Sequence, residues 1–71
     1  MDLKTYYLGL PREERESFCN EAETTDGYMN QLINGHKRAG TGLAKRLHKA
    51  SGGKVPLAVI RPDVWDPGFA A

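Results

Sequence analysis

The sequence has one cysteine, no long apolar run and almost no net charge. A single cysteine, Cys19, cannot form an internal disulfide, which excludes the disulfide-held class of small secreted domains. No segment approaches the roughly 20 apolar residues that span a bilayer, so we expect no transmembrane helix. Residues 1–10 lack the basic segment and apolar stretch of a signal peptide. We therefore expect a cytoplasmic protein without membrane contact.

The sequence also lacks residues at the spacing that catalysis or metal binding requires. Cys19, His36 and His48 do not have the paired spacing of zinc ligands. The segment 35–41 has two glycines at phosphate-loop spacing, but the lysine after the second glycine is absent and no strand is predicted before it. Cys19 has no catalytic partner and is expected to be a buried structural residue. The sequence predicts no enzyme, no metal site and no cofactor.

The 71 residues allow one small domain, because each of two would fall below the size of a self-sufficient core. The net charge of +1 conceals an uneven distribution along the chain. Residues 1–35 carry three cations and seven anions, a net −4, whereas residues 36–71 carry seven cations and two anions, a net +5. Such asymmetry indicates contact with nucleic acid or a membrane, although a charged run is more often only a solvated face.

Apolar residues recur at helical spacing in four segments. We expect a first helix over 3–10 with Asp2 as N-cap, and a second with Pro11 at its first position. Thr24 or Thr25 is expected to cap the third helix, which Asn34-Gly35 ends, and Thr41 to cap the fourth. The following segment, 54–60, allows either a short helix that begins at Pro56 or an edge strand.

The second and third helices have the spacing of a helix-turn-helix, whose second helix enters the DNA major groove. Phe18, Cys19 and Met29 would pack between the two helices, which a tight turn separates. The outward face of the recognition helix, about 25–34, bears short polar side chains, and amides suit the N6/N7 edge of adenine. The predicted base contacts are Thr25, Asp26, Gly27, Asn30, Gln31 and Asn34. The predicted phosphate contacts are Thr24, Tyr28, His36, Lys37, Arg38, Lys45 and Arg46; the alternative for each set is a merely solvated surface.

Three motifs resemble a known family. They are Thr24-x-x-Gly27-Tyr28-Met29-x-x-Leu32-x-Asn34-Gly35 with its basic loop, Leu43-Ala44-x-Arg46-Leu47-x-x-Ala50-Ser51-Gly52-Gly53-x-Val55, and Arg61-Pro62-Asp63-x-Trp65. Over residues 2–66 the chain resembles small Cro-like regulators of bacteria and prophages, of the YdaS antitoxin type. The resemblance implies an all-α, compact five-helix, lambda-repressor-like helix-turn-helix domain (1–60) and a partly irregular C-terminal tail (61–71). It also implies a homodimer on double-stranded operator DNA.

Two residues depart from the family pattern. Glu23 stands at the turn position usually held by glycine, so the turn must tolerate a carboxylate and a strained backbone. Asp26 would repel phosphates unless it accepts a hydrogen bond from a cytosine N4 or caps the helix.

Two questions of partner stay open at the sequence level. The predicted dimer interface consists of Val55, Leu57, Val59 and Trp65, with the alternative that Trp65 only covers the core. The predicted function is sequence-specific repression of transcription. The alternative is an antitoxin that binds a toxin protein through residues 61–71 and regulates its own operon.

Overall fold

The computed structural model describes residues 1–65, which form five helices and contain no strand. This arrangement confirms the predicted all-α fold, and it resolves segment 54–60 as a short helix rather than an edge strand. Pro56 precedes that helix with φ −64° and ψ 150°. The helices are α1 (Leu3–Leu8), α2 (Arg12–Glu21), α3 (Asp26–Ile33), α4 (Thr41–Ala50) and α5 (Leu57–Ile60).

Two of the four predicted helix starts are right and two are displaced by one residue. The Asp2 carboxylate accepts from the Thr5 backbone N–H at 2.7 Å, and this hydrogen bond lowers the pKa of Asp2. Thr25 is the N-cap of α3. Pro11 is the N-cap of α2 rather than its first residue, because its fixed φ of −60° also suits an extended cap. Gly40, not Thr41, is the N-cap of α4, a position that glycine also favours.

The core forms where the apolar faces of the first four helices meet. The rings of Tyr6 and Tyr7 lie tilted against Phe18, with centroids 5.6 and 5.8 Å apart. Phe18, Cys19 and Met29 were predicted to pack in this cluster, whereas helical periodicity gives no signal for Ala39, which lies in the loop before α4. The buried cluster consists of Tyr7, Phe18, Cys19, Ala22, Met29, Ala39 and Leu47.

The segment after α4 is held against the helix by polar contacts. Ser51 Oγ accepts from the Val55 N–H at 3.1 Å and donates to the His48 carbonyl at 2.8 Å. The Val55 carbonyl lies 2.9 Å from His48 Nδ1. These contacts place the Val55 side chain inside the domain, where it is completely buried. Val55 therefore has no exposed surface that a second copy of the chain could contact. The prediction that Val55 belongs to the dimer interface is wrong.

Candidate nucleic-acid interface

Residues 22–25 join α2 to α3 in a tight turn. The Thr24 N–H donates to the Cys19 carbonyl at 2.9 Å, and the Glu23 N–H donates to the Asn20 carbonyl at 3.2 Å. This pair of bonds is a Schellman motif, which requires a left-handed residue after the C-cap, usually glycine. Glu23 occupies that position with φ 56°, so the turn keeps its shape at the cost of backbone strain.

Arg46 on α4 reaches this turn and bonds to it. Its Nε donates to the Ala22 carbonyl at 2.9 Å and lies 3.5 Å from Glu23 Oε2. The hydrogen bond satisfies a carbonyl left free at the end of α2. Arg46 was predicted to bind phosphate; in the free protein its Nε is bonded within the chain, while the side chain remains 41% exposed. Sequence reasoning missed this contact because the two residues it joins are 24 positions apart.

The predicted base contacts lie together on the exposed side of α3, opposite the buried Met29. Asn30 and Gln31 lie three and four residues after Gly27, and Asn34 lies four and three residues after them, which places the four residues on one helix face. Thr25 has a different task, since its hydroxyl accepts from the Tyr28 N–H at 3.1 Å and caps the helix. Of the predicted phosphate contacts at this end of the helix, Thr24 and Tyr28 are half-buried.

Nothing in the structure of the domain requires a glycine at position 27. A Cβ built there would meet only Thr25 Oγ1, at 4.0 Å, and the φ of Gly27 is not in the left-handed region. Neither packing nor backbone conformation therefore requires the missing side chain. An exposed glycine at the start of α3 leaves the backbone open to close approach by another molecule.

Asp26, also predicted to contact a base, is engaged inside the protein. The Tyr7 hydroxyl of α1 donates to Asp26 Oδ1, and Asn30 Nδ2 donates to Asp26 Oδ2 at 3.3 Å. Burial and the bond to Asp26 raise the pKa of Tyr7, so the hydroxyl remains a donor at neutral pH. Both carboxylate oxygens thus already have donors in the protein alone.

The loop after α3 presents the first residues of the basic half of the chain. The His36 N–H donates to the Gln31 carbonyl at 2.8 Å, and Gly35 takes φ 80°, which turns the chain sharply at the helix end. His36, Lys37 and Arg38 are therefore exposed directly beside the last turn of α3. Lys45 is exposed on α4. Arg38 lies 3.7 Å from Asp63, a surface ion pair that phosphate could replace at little cost.

Arg61 fixes the position of that loop. It donates to both Asp63 carboxylate oxygens, at 2.9 and 2.6 Å, and to the Ala39 carbonyl at 2.6 Å. The two hydrogen bonds from the Arg61 guanidinium lower the pKa of Asp63 to about 2. The Arg-Pro-Asp motif of the resemblance thus connects the end of α5 to the loop that presents Lys37 and Arg38.

Two further cations lie near the start of α3, and neither was predicted to bind DNA. Arg12 and Arg15 of α2 line a cleft that Thr24, Thr25 and Asp26 also line. Arg15 donates through Nε to the Leu10 carbonyl at 3.0 Å and lies over the Tyr7 ring at 5.9 Å. Arg12 and Arg15 are three residues apart, which places both on one face of α2. This spacing is the feature of the sequence that could have identified them.

The remaining predicted interface residues lie on the surface near the C-terminal end of the described chain. Val59 is 44% exposed, and Leu57 and Trp65 are half-buried. Val64, a further apolar side chain in this part of the sequence, is 45% exposed. The predicted tail, 61–71, falls within the described residues only as far as Trp65; the rest lies outside them.

Neither a cluster of metal-ligating side chains nor a membrane-spanning helix is found in residues 1–65. No group of three or more metal-ligating side chains lies together there. None of the helices in this part of the chain is long and apolar enough to cross a membrane.

The chain is 30% identical over 63 residues to a protein of Escherichia coli (strain K12) described as a prophage transcriptional regulatory protein. The aligned residues make up 89% of this chain and 96% of that protein. No protein-family model matches the chain, and no solved structure matches it.

Proposed function

The chain belongs to the same family as the prophage transcriptional regulatory protein of Escherichia coli, and from this premise we propose that it regulates transcription by binding operator DNA. The observation that supports this function best is the polar face of α3. Gly27, Asn30, Gln31 and Asn34 share one exposed side of a helix that follows a tight turn. Such a helix is the element that a helix-turn-helix protein places in the major groove.

We assign the groups at this surface two kinds of contact. Asn30, Gln31 and Asn34 offer amide donors and acceptors to base edges, and Gly27 lets the helix approach the groove closely. Lys37, Arg38 and Lys45 are exposed and bind phosphates, as do His36, Thr24 and Tyr28 at the edges of the surface. The protein would act in the bacterial cytoplasm as a Cro-like repressor, excluding polymerase from the operator without any chemical step.

The proposal includes a homodimer, because one short helix contacts few base pairs and two half-sites multiply specificity. The surface we assign to it consists of Leu57, Val59, Val64 and Trp65. Two of these apolar side chains, Val59 and Val64, are nearly half exposed. A Val59→Asp variant should remain folded and shift the sedimentation of the protein–DNA complex toward one copy per DNA. An unchanged stoichiometry would refute this interface.

DNA binding is tested by fluorescence anisotropy with labelled duplexes from the DNA that flanks the gene of this protein. Scrambled duplexes of the same composition serve as competitors, and the titration is repeated from 50 to 300 mM salt. Gln31→Ala should lower the affinity for the specific duplex about tenfold or more, the effect of a lost base contact. Ser17→Ala is the matched control, since Ser17 is exposed on α2 but does not line the cleft shared with α3.

The salt series separates the two kinds of contact. Lys37→Ala should weaken binding to every duplex and reduce the slope of log K against log salt by about 0.9, the contribution of one phosphate. Gln31→Ala should leave that slope unchanged. Binding that shows no preference for any duplex and disappears near 150 mM salt would refute the proposed function.

An antitoxin function is the alternative, and it shares the DNA-binding surface. It adds a toxin protein as partner, contacted through residues 61–71. Co-expression with the product of the adjacent gene distinguishes the two. A repressor alone purifies without that product, whereas an antitoxin retains it and loses it when residues 66–71 are removed.

A further inference from the structure

A hydrogen-bonded chain of three side chains runs from the core to the exposed face of α3. Tyr7 of α1 is completely buried, and its hydroxyl lies 3.4 Å from Cys19 Sγ. The same hydroxyl donates to Asp26 Oδ1 at the first residue of α3, and Asp26 Oδ2 accepts from Asn30 Nδ2 at 3.3 Å. An exposed carboxylate at the start of α3 is thus anchored to the core of the domain.

The bond from Asn30 to Asp26 determines which way the Asn30 amide points. A carboxylate only accepts hydrogen bonds, so Asn30 must turn its nitrogen toward position 26. Without such a partner, the two orientations of an asparagine amide are nearly equivalent in shape. The oriented amide keeps one free N–H beside its carbonyl oxygen. A donor next to an acceptor in this order fits the N7 acceptor and N6 donor of adenine.

From this geometry we infer that Asp26 is a positioning residue, which acts through Asn30 and sets a preference for adenine at the base pair that Asn30 contacts. Tyr7 holds the Asp26 carboxylate in position, and that carboxylate sets the orientation of the Asn30 amide. Asp26 itself contacts no base, contrary to the expectation from sequence. The inference rests on the proposed DNA-binding function, but the orientation of the Asn30 amide is a property of the free protein and is measured without DNA.

The inference is tested first in the free protein with Asp26→Asn. The hydroxyl of Tyr7 still finds a carbonyl oxygen at position 26, but an amide nitrogen then faces Asn30. Asn30 must reverse its amide to accept from it, so the side-chain nitrogen and proton resonances of Asn30 should shift in a heteronuclear NMR spectrum. Asp2→Asn is the matched control, because the Asp2 carboxylate also accepts hydrogen bonds at the start of a helix, and both of them come from Thr5 rather than Asn30. Unchanged Asn30 resonances in Asp26→Asn overturn the inference.

The second measurement uses a panel of operator duplexes, each with one base pair replaced. The unmodified protein should favour adenine at one position by roughly 5- to 100-fold, and Asp26→Asn should reduce that ratio to near one. Preferences at the other positions should persist, whereas general damage to the fold would weaken binding to all duplexes alike. Asn30→Ala should lose the same preference for adenine. The double variant Asp26→Asn/Asn30→Ala should show the same base preferences as Asn30→Ala alone.

Two outcomes keep the inference separate from the proposed function. Unmodified protein without preference for any duplex refutes the DNA-binding function before the variants are compared. If specific binding is found but Asp26→Asn keeps the adenine preference, only the positioning role is overturned. Should Asp26→Asn fail to fold, Tyr7→Phe provides the same readouts, since it releases Asp26 without changing α3. Unaltered Asn30 resonances and preference in Tyr7→Phe would then overturn the inference.

Discussion

Replacing Gly27 with alanine should make the protein more stable and bind DNA less well. Alanine favours a helix over glycine by up to about 1 kcal/mol, and the first turn of α3 should realise about half of that. The added Cβ has room, because its nearest neighbour would be Thr25 Oγ1 at 4.0 Å. For a chain of this size, a gain of about 0.5 kcal/mol raises Tm by roughly 2–4 °C. Thermal unfolding followed by circular dichroism measures it.

The DNA affinity of Gly27→Ala should move in the opposite direction. If the backbone at Gly27 lies against the groove, a methyl group there separates the two surfaces or forces the helix to tilt. We expect at least a tenfold loss of affinity for the operator, which corresponds to about 1.4 kcal/mol. Anisotropy with the specific duplex measures this loss.

Gly42→Ala is a close control for this substitution. Gly42 is the second residue of α4, as Gly27 is of α3, and both are exposed. A Cβ at Gly42 would lie at an ordinary contact distance, 3.5 Å, from Arg46 Nη1. We expect a similar gain in stability without loss of DNA affinity. Full operator affinity in Gly27→Ala would refute the close approach of α3 through this glycine.

Three further predictions concern the contacts that hold the site. Glu23→Gly should stabilise the fold by about 0.5–1 kcal/mol in chemical denaturation, because it removes the left-handed strain and loses only an exposed ion pair; a comparable loss of stability would mean that the pair outweighs the strain. Arg46→Met should lower the free energy of unfolding by about 1 kcal/mol, since the Ala22 carbonyl loses its donor, and should leave the salt slope of DNA binding unchanged. A slope reduced by about 0.9 would instead place Arg46 at a phosphate. Asp63 has a folded pKa of about 2, below its ordinary 3.8, so its carboxylate stabilises the fold above about pH 4, and this stabilisation is lost as pH falls toward 2. The Tm of Asp63→Asn should therefore change less between pH 2 and 5 than the Tm of the unmodified protein. An identical pH dependence of Tm would contradict the assignment.

Much of the fold follows from local sequence pattern. Tyr7, Phe18 and Met29 are core residues because apolar side chains at helical spacing can be buried only on one face. Thr25 and Asp2 cap helices by bonds that span three residues, and such short-range chemistry is visible in sequence. The predicted start of α4 is displaced by one residue because glycine and threonine both favour the N-cap position and Gly40 directly precedes Thr41.

The candidate site was less predictable, because its polar residues are engaged over long distances in sequence. Asp26 was expected at a base, and its carboxylate accepts a hydrogen bond in the free protein from Tyr7, which lies 19 positions earlier in the chain. Arg46 was expected at a phosphate for its charge alone, although its planar fork also suits a carbonyl left free at a helix end. Val55 was assigned to the surface because alternation of apolar residues does not reveal how Ser51 and His48 draw the segment inward.

The contact between Arg46 and the turn has a consequence for how this domain is made and reused. During synthesis, α2 and α3 leave the ribosome before Arg46 does, so the turn between them lacks its donor until α4 has been translated and has docked. The two helices of the proposed DNA-binding motif are therefore not a portable unit. A graft of residues 12–34 into another protein would transfer every side chain proposed to contact a base, together with an unsupported Glu23. A graft that preserves the geometry must extend through α4 to residue 50.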